Sequence, residues 1–334
     1  YVDDKVTLNV RLQGGGGKAL KVKRAYATIQ FPWDVTAQVG RFPLDWEADF
    51  YAADFAGYMM NDAYVTDFDP LATAVWFTKP FSMGSFEMFV AHNEQVTTEP
   101  DAPATYKKPV GNYADYYQYG ARLAFNFNEN LSFAANYVKY TFEDRYDIAP
   151  IEIGNFSTLW GDIIVNFNEN IAFKGQYFVE DNDSYWAWGS IDSPSAWKAI
   201  LDVKQDALKF TDLWIEYAQI DEGFFFANAD PYAWTLDASP FLSSGGIGAY
   251  AYGDTTILNI VAHQKWNDQW WTYVRYFSAD SDYDEYSYKN YTASVRYNYT
   301  PNLWFELGYD KVDPDWDTGD FGDDLVWFRT TVNF

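Results

Sequence analysis

The chain has 334 residues, no cysteine and a net charge of -25, and aromatic residues make up 21% of it. The lack of cysteine excludes a disulfide framework and a thiolate metal site, and the acidic balance argues against nucleic acid as a partner because phosphate binding needs a basic surface. A negative mean hydropathy beside so many aromatic side chains is not typical of a soluble core.

No run of 18 or more apolar residues occurs, which excludes a conventional membrane helix. Membrane-spanning strands remain possible, because they alternate lipid-facing and lumen-facing residues and keep a low average hydropathy. The chain starts at Tyr1 with neither an initiator Met nor an apolar leader, as expected of a processed exported protein.

Alternating segments recur along the whole chain. In the first, Val6, Leu8 and Val10 share one face and Thr7 and Arg11 share the other, the pattern of a strand between an apolar and a polar medium. The pattern predicts strands at 5–12, 20–31, 35–41, 71–79, 84–92, 116–127, 131–142, 156–167, 171–180, 197–205, 210–220, 256–266, 270–278, 288–299, 303–311 and 325–334.

The connections between these strands alternate between short and long. Short turns are predicted at 32–34, 80–83, 128–130, 168–170, 206–209, 267–269 and 300–302. Long, acidic connections are predicted at 42–70, 93–115, 143–155, 181–196, 221–255, 279–287 and 312–324. A barrel that spans a membrane needs this alternation, with tight turns at one rim and loops at the other.

In a lipid bilayer these strands must form a closed barrel, because only helices and closed barrels satisfy their backbone polar groups there. The sequence therefore predicts one all-β domain over residues 1–334, a transmembrane antiparallel up-and-down β-barrel of about 16 strands. A soluble sandwich or solenoid is the alternative, but it would have a richer aliphatic core and fewer long loops on one side.

The motif NFNEN occurs twice, at 126–130 and 166–170, each time between two alternating runs. Asn tolerates left-handed backbone angles and hydrogen-bonds its own backbone, so the motif indicates a tight hairpin turn. A ligand site would need converging chemistry that these residues lack.

These features resemble the porins of Gram-negative outer membranes, and the resemblance covers the whole chain. The segment KRAYATIQFPWDVTAQVGRF is similar to the early hairpins of such porins, and LVWFRTTVNF, which ends at Phe334, is similar to the signal read by the barrel-assembly machinery. The resemblance implies an outer-membrane location, contact with lipid and lipopolysaccharide, a homotrimer and a passive diffusion channel. The P-E-F-G-G loop motif of the enteric members is absent.

The alternation places five arginines on the polar, inward face: Arg11, Arg24, Arg122, Arg296 and Arg329. Related porins carry a basic cluster that faces acids on the third loop, here 93–115 with Glu94, Glu99, Asp101 and Asp115. Opposed charges of this kind would set a transverse field across a constriction. Alternatively, the arginines pair with Asp310, Glu306 or Glu87 across strands.

Two further acidic connections bear on cation preference and on a possible calcium site. The acidic 42–70 connection is long enough to fold into the lumen or over a neighbouring subunit, and it would concentrate cations near the mouth. The last connection has the alternating carboxylates of a calcium loop but departs from the EF-hand pattern; its candidate ligands are Asp313, Asp315, Asp317, Asp320 and Asp324. A solvated acidic loop is the alternative.

No catalytic motif is apparent, since His92 and His263 lie in different strands without a nucleophile pattern. The sequence favours a cation-preferring porin that needs no cofactor. The alternatives are a saccharide-selective channel with inward Trp160, Trp214 and Trp304 as a stacking track, and a soluble carbohydrate-binding β protein.

Overall fold

The structure is a computed structural model of the 334-residue chain. It describes residues 5–15, 18–44, 46, 50, 71–93, 116–142, 146–148, 151–153, 155–182, 185–186, 189–190, 193–224, 253–282, 287–315 and 323–332.

The described residues form twenty strands. They are β1 (Val6–Gly15), β2 (Lys18–Phe31), β3 (Val35–Pro43), β4 (Leu71–Phe81), β5 (Gly84–Asn93), β6 (Tyr116–Asn128), β7 (Leu131–Phe142), β8 (Tyr146–Ile148), β9 (Ile151–Ile153), β10 (Phe156–Asn168), β11 (Ile171–Asn182), β12 (Tyr185–Trp186), β13 (Gly189–Ser190), β14 (Ser195–Val203), β15 (Asp212–Ile220), β16 (Thr255–Lys265), β17 (Trp270–Ser281), β18 (Ser287–Thr300), β19 (Leu303–Asp315) and β20 (Asp323–Val332).

Sixteen of the described strands make one up-and-down sheet in chain order, from β1 to β7, through β10, β11 and β14, to β20. Every neighbouring pair whose register the structure gives is antiparallel, from Val6 opposite Ile29 at one end to Leu303 opposite Val332 at the other. Each of the sixteen predicted strands is confirmed, with bounds that differ by a few residues. The fold class predicted from the sequence is therefore confirmed.

The two faces of the sheet differ in chemistry. On β18 the side chains alternate between exposed apolar or aromatic ones (Tyr291, Val295, Tyr299) and buried polar ones (Thr292, Ser294, Arg296). On β20, Val326 and Phe328 are 70% and 66% exposed, whereas Trp327 between them is buried. We call the exposed apolar face the outer face and the opposite one the inner face. This alternation is what a sheet between lipid and an interior requires.

Both NFNEN copies are hairpin turns of the same geometry. The backbone N–H of Asn130 donates to Asn128 Oδ1 at 2.8 Å, and the N–H of Asn170 donates to Asn168 Oδ1 at 2.8 Å. The predicted turn is thus confirmed, but the predicted left-handed angles are not, because none of the described asparagines has a positive φ. The hydrogen bond to its Oδ1 explains the asparagine at the third position of each copy.

Left-handed backbone occurs instead in the turn between β2 and β3. Trp33 and Asp34 have φ of 65° and 58° there, and Lys79 Nζ donates to the Trp33 carbonyl. The β14–β15 connection contains one helical turn, α1 (Gln205–Leu208), capped by Lys209 in the left-handed conformation. No helix in the described part of the chain is long and apolar enough to cross a membrane.

Four short strands were not predicted. β8, β9, β12 and β13 form a separate small sheet in the order β13-β12-β9-β8. They belong to the long connections that follow β7 and β11, so these two connections are joined to each other beyond the sixteen-stranded sheet.

Candidate functional site

The inner face is the candidate functional surface, because it carries the charged side chains of the strands. All five predicted arginines lie on it: each alternates with outer-face neighbours such as Val10, Leu123, Val295 and Phe328. Contacts of these arginines are described at three places: Arg122 with Asp162, Arg296 and Arg329 with Glu306, and Arg11 opposite Arg24.

Arg122 belongs to a network on β6, β7, β10 and β11. Its Nη1 lies 3.2 Å from Asp162 Oδ2 and 2.8 Å from Asn136 Oδ1. Asn136 and Gln176 also donate to the Asp162 carboxylate, at 2.9 and 3.0 Å. The buried charge of Asp162 is therefore paired and hydrogen-bonded, as a buried carboxylate must be.

Arg296 and Arg329 share a single carboxylate. Their Nη2 atoms lie 3.4 and 3.2 Å from Glu306 Oε2, and Ser294 donates to the other oxygen at 2.9 Å. Both guanidinium groups also cover the Trp304 ring, at 4.0 and 4.6 Å from its centroid. Glu306 is thus a shared carboxylate partner of two guanidinium groups.

Arg11 and Arg24 lie directly opposite each other on β1 and β2. The Arg11 side chain is exposed and that of Arg24 is half-buried. Register therefore places two like charges side by side, which raises the local positive potential on this part of the inner face.

A lysine network covers β11, β14 and β15. Lys174 Nζ lies 3.1 Å from Asp202 Oδ2 and 4.7 Å from the Trp214 ring centroid. Lys198 Nζ lies 3.9 Å from Glu216 Oε1, and the Trp214 indole N–H donates to Glu216 at 2.9 Å. The sequence analysis did not select these residues, although their inward phase could have found them.

The chain that follows β3 contributes to the inner face. Trp46 donates its indole N–H to Glu87 Oε2 at 3.1 Å, and its carbonyl accepts from Arg122 Nη1 at 2.9 Å. The Phe50 carbonyl accepts from Lys198 Nζ at 3.1 Å. Trp46 and Phe50 therefore contact inner-face side chains. Residues 45, 47–49 and 51–70 lie outside the described residues, so the path of the 42–70 connection stays a prediction.

The predicted acids of the 93–115 connection cannot be placed against the arginines. Glu94, Glu99, Asp101 and Asp115 lie outside the described residues, so the transverse field stays a prediction. The pairing alternative holds for Arg296 and Arg329 with Glu306.

Of the calcium candidates, Asp317 and Asp320 lie outside the described residues, and only the backbone of Asp315 is described. Asp313 lies 3.8 Å from Lys311 Nζ. Among the described residues, no three His, Asp or Glu side chains converge to hold a metal ion.

The two histidines have different surroundings. His92 packs on the outer face against Tyr117, with 4.7 Å between ring centroids. His263 Nδ1 lies 2.9 Å from Asp212 Oδ2, and the other Asp212 oxygen accepts from the Gln205 N–H at 2.5 Å. This pair ties α1 to β15 and β16.

Other side chains of the protein pack against the three tryptophans that the saccharide-channel alternative proposed as a stacking track. Trp160 and Trp214 are buried, with Trp160 stacked on Phe178 at 5.9 Å. Trp304 lies under two guanidinium groups. Their faces are thus occupied by the protein's own side chains, which does not favour a sugar track built from these three.

Solved outer-membrane channels have the same fold. OccK3 (OpdO) of Pseudomonas aeruginosa matches with a TM-score of 0.55 at 11% identity over 93% of this chain and 80% of its own. A BenF-like porin from Pseudomonas fluorescens Pf-5 matches with 0.54 at 9% over 99% and 88%. The outer-membrane channel DcaP of Acinetobacter baumannii matches with 0.53 at 10% over 98% and 79%.

The fold is that of the outer-membrane β-barrel channels. At these identities the likeness concerns the fold alone. No family model and no curated protein matches the chain.

Proposed function

We propose that this protein is a channel of the outer membrane through which small hydrophilic solutes and ions diffuse passively. The observation that supports it best is the division of one sixteen-stranded sheet into an apolar outer face and a charged, hydrogen-bonded inner face. A barrel of this size encloses an aqueous interior, and its outer face matches lipid.

The selectivity we propose is for cations. The net charge is -25, and the long connections on one side of the sheet hold most of the surplus acids. A mouth lined by one sign of charge raises the local concentration of the opposite ion. We further propose a homotrimer in contact with lipopolysaccharide, assembly through the C-terminal segment LVWFRTTVNF, and calcium bound by the 312–324 connection.

Planar-bilayer recording of the detergent-purified protein under a KCl gradient tests this function. We expect stepwise openings, and a reversal potential whose sign shows that K⁺ passes more readily than Cl⁻. Block of the ion current by a saccharide at low concentration would instead favour the saccharide-selective channel. A protein that stays soluble without detergent and gives no openings would contradict the proposal.

A further inference from the structure

A cavity of about 290 Å³ lies on the inner face, beside the short turn that joins β10 and β11. Six inner-face positions of β7, β10, β11 and β14 line it in two neighbouring rows of the sheet register. The first row holds Ser132, Ile164 and Lys174, and the second row, nearer the turn, holds Asn166, Ala172 and Asp202. Members of a row lie directly opposite one another on adjacent strands, so the six side chains surround one space.

Ala172 has the smallest side chain of the six and lies at the centre of the second row. Asn166 and Asp202 are its partners on the adjacent strands, and Lys174 follows two residues later on the same face. All three neighbours have longer side chains that extend beyond the alanine methyl group. The cavity therefore depends on a small residue at position 172, and a bulky side chain there would fill it.

An ion-pair network forms the charged wall of the cavity. Lys174 Nζ lies 3.1 Å from Asp202 Oδ2, and Lys204 Nζ lies 3.4 Å from Asp202 Oδ1. Asp202 is buried, whereas the Lys204 side chain is 38% exposed, so a solute in the interior reaches this wall at Lys204. Donors and acceptors that are already held in place bind a ligand at a lower entropic cost.

Uncharged groups complete the lining. Asn166 Nδ2 donates to the Glu129 carbonyl at 3.0 Å, which fixes the orientation of this amide. In the part of the chain that the structure describes, the Ser132 hydroxyl has no hydrogen-bond partner, and a hydroxyl can both donate and accept. The side chains of Ile164 and Ala172 are aliphatic. The cavity thus combines a polar rim with an apolar floor, as ligand sites commonly do.

The charges that border the cavity sum to zero, because Lys174 and Lys204 are matched by Asp202 and Glu169. A lone cation or anion would meet attraction and repulsion together and gain little. A neutral ligand with several hydroxyl groups gains more, since a hydroxyl donates to a carboxylate and accepts from an ammonium. A sugar ring also has C–H faces that fit an aliphatic floor. The lining therefore favours a neutral polyol.

We propose that this cavity is a binding subsite for a neutral polyol of monosaccharide size, with its hydroxyl groups on Asp202, Lys204 and Ser132 and one face on Ala172. The inference rests on the proposed function, because a solute meets this face only inside an open channel. A small ligand in a partly open cavity binds in the millimolar range. Such weak binding accompanies passive diffusion and differs from block at low concentration.

Ala172→Phe tests the proposal by filling the cavity. The probe is glucose, titrated by saturation-transfer NMR against protein purified in a detergent that has no sugar headgroup. We expect a saturable signal from the wild type and a half-saturating concentration that is about tenfold or more higher for Ala172→Phe, because the space for the ring is lost.

Thr28→Phe is the matched control for Ala172→Phe. Thr28 is a half-buried inner-face residue of β2, and its partners are Thr7 and Gln38, so it lies apart from the cavity. Its titration should match that of the wild type. Equal glucose affinity of the wild type and both phenylalanine variants would show adventitious binding and would overturn the proposal.

A second variant adds no bulk to the wall. Ser132→Ala removes one hydroxyl, and we expect the half-saturating glucose concentration to rise by about threefold to tenfold. Ser85→Ala is its control, because the Ser85 hydroxyl donates to Glu87 at 3.1 Å on β5 and does not line the cavity. An unchanged glucose affinity in Ser132→Ala would overturn the assigned contact.

The remaining outcomes separate the ligand class and the proposed function. Acetate or glycine that saturates the wild type where glucose does not, with binding lost in Ala172→Phe, would overturn the neutral class. Stepwise openings of a wild type without saturable glucose binding would overturn the subsite and leave the channel standing. Glucose binding that Ala172→Phe abolishes, in a folded protein without openings, would support the subsite and overturn the proposed function.

Discussion

At the scale of single residues, buried carboxylates of the inner face have cationic and hydrogen-bonding partners, and Glu306 is an example. Glu306 is fully buried between Arg296 and Arg329 and also accepts from Ser294. A buried carboxylate without partners is unfavourable by several kcal/mol. The group is therefore stable as a set, and each member depends on the others.

Glu306→Gln tests this dependence. The substitution keeps the shape but leaves two guanidinium groups without their carboxylate, so we expect the free energy of unfolding to fall by about 3 kcal/mol. Urea unfolding in lipid vesicles, followed by tryptophan fluorescence, measures it.

Asp268→Asn is the control for Glu306→Gln, because Asp268 pairs with Lys265 while its own side chain is 98% exposed. Exposed ion pairs contribute little to stability, so its midpoint should stay close to that of the wild type. Equal midpoints for all three proteins would contradict the account of the Glu306 group.

The sequence could place these arginines but not their partners. Alternation puts Arg122, Arg296 and Arg329 on the inner face, since side chains in a strand point to opposite faces in turn. Whether Arg122 meets Asp162 depends on strand register, and its contact with Trp46 depends on the path of a long connection. Neither quantity has a local signal in the sequence.

At the scale of elements, short turns and alternating strands carry the fold. Each of the two NFNEN turns has the same hydrogen bond, from a backbone N–H to the side chain of the asparagine two residues earlier. Asn128 and Asn168 act in the same way at two places in the sheet, which makes the repeat a repeated turn.

Asn128→Ala and Asn168→Ala test this interpretation together. Each removes one exposed hydrogen bond, so we expect each to lower the free energy of unfolding by about 1 kcal/mol and to leave the conductance unchanged. Urea unfolding and bilayer recording of the two variants measure both quantities. If either substitution altered ion or solute passage without changing stability, the motif would be a site.

Adjacent positions on β3 test the assignment of faces. Val39 is 40% exposed on the outer face, and Gln38 beside it lies on the inner face. We expect Val39→Arg to reduce the free energy of unfolding in lipid vesicles by about 2–4 kcal/mol, because a charge on the lipid face near mid-membrane is unfavourable. Gln38→Arg should have a smaller effect, and the reverse order would contradict the assignment.

The sixteen long strands were predictable because their alternation is continuous over many residues. β8, β9, β12 and β13 were missed, since two- and three-residue strands have too few positions to show a period. The turn α1 was missed for a similar reason: QDAL is a single helical turn within a predicted short connection.

At the scale of the whole molecule, the chain combines a lipid-compatible exterior with an inner face on which many charged side chains are buried and paired. The exterior and the strand order follow from local patterns that the sequence shows. The contacts of the connection after β3 do not, because Trp46 and Phe50 meet residues far from them in the chain, such as Glu87 and Lys198.

Single-channel recording of the wild-type protein in a planar bilayer tests the central claim most directly. The account predicts discrete, stepwise openings with a cation-selective reversal potential under a KCl gradient. A folded, heat-modifiable protein that enters the bilayer and gives no openings would contradict it.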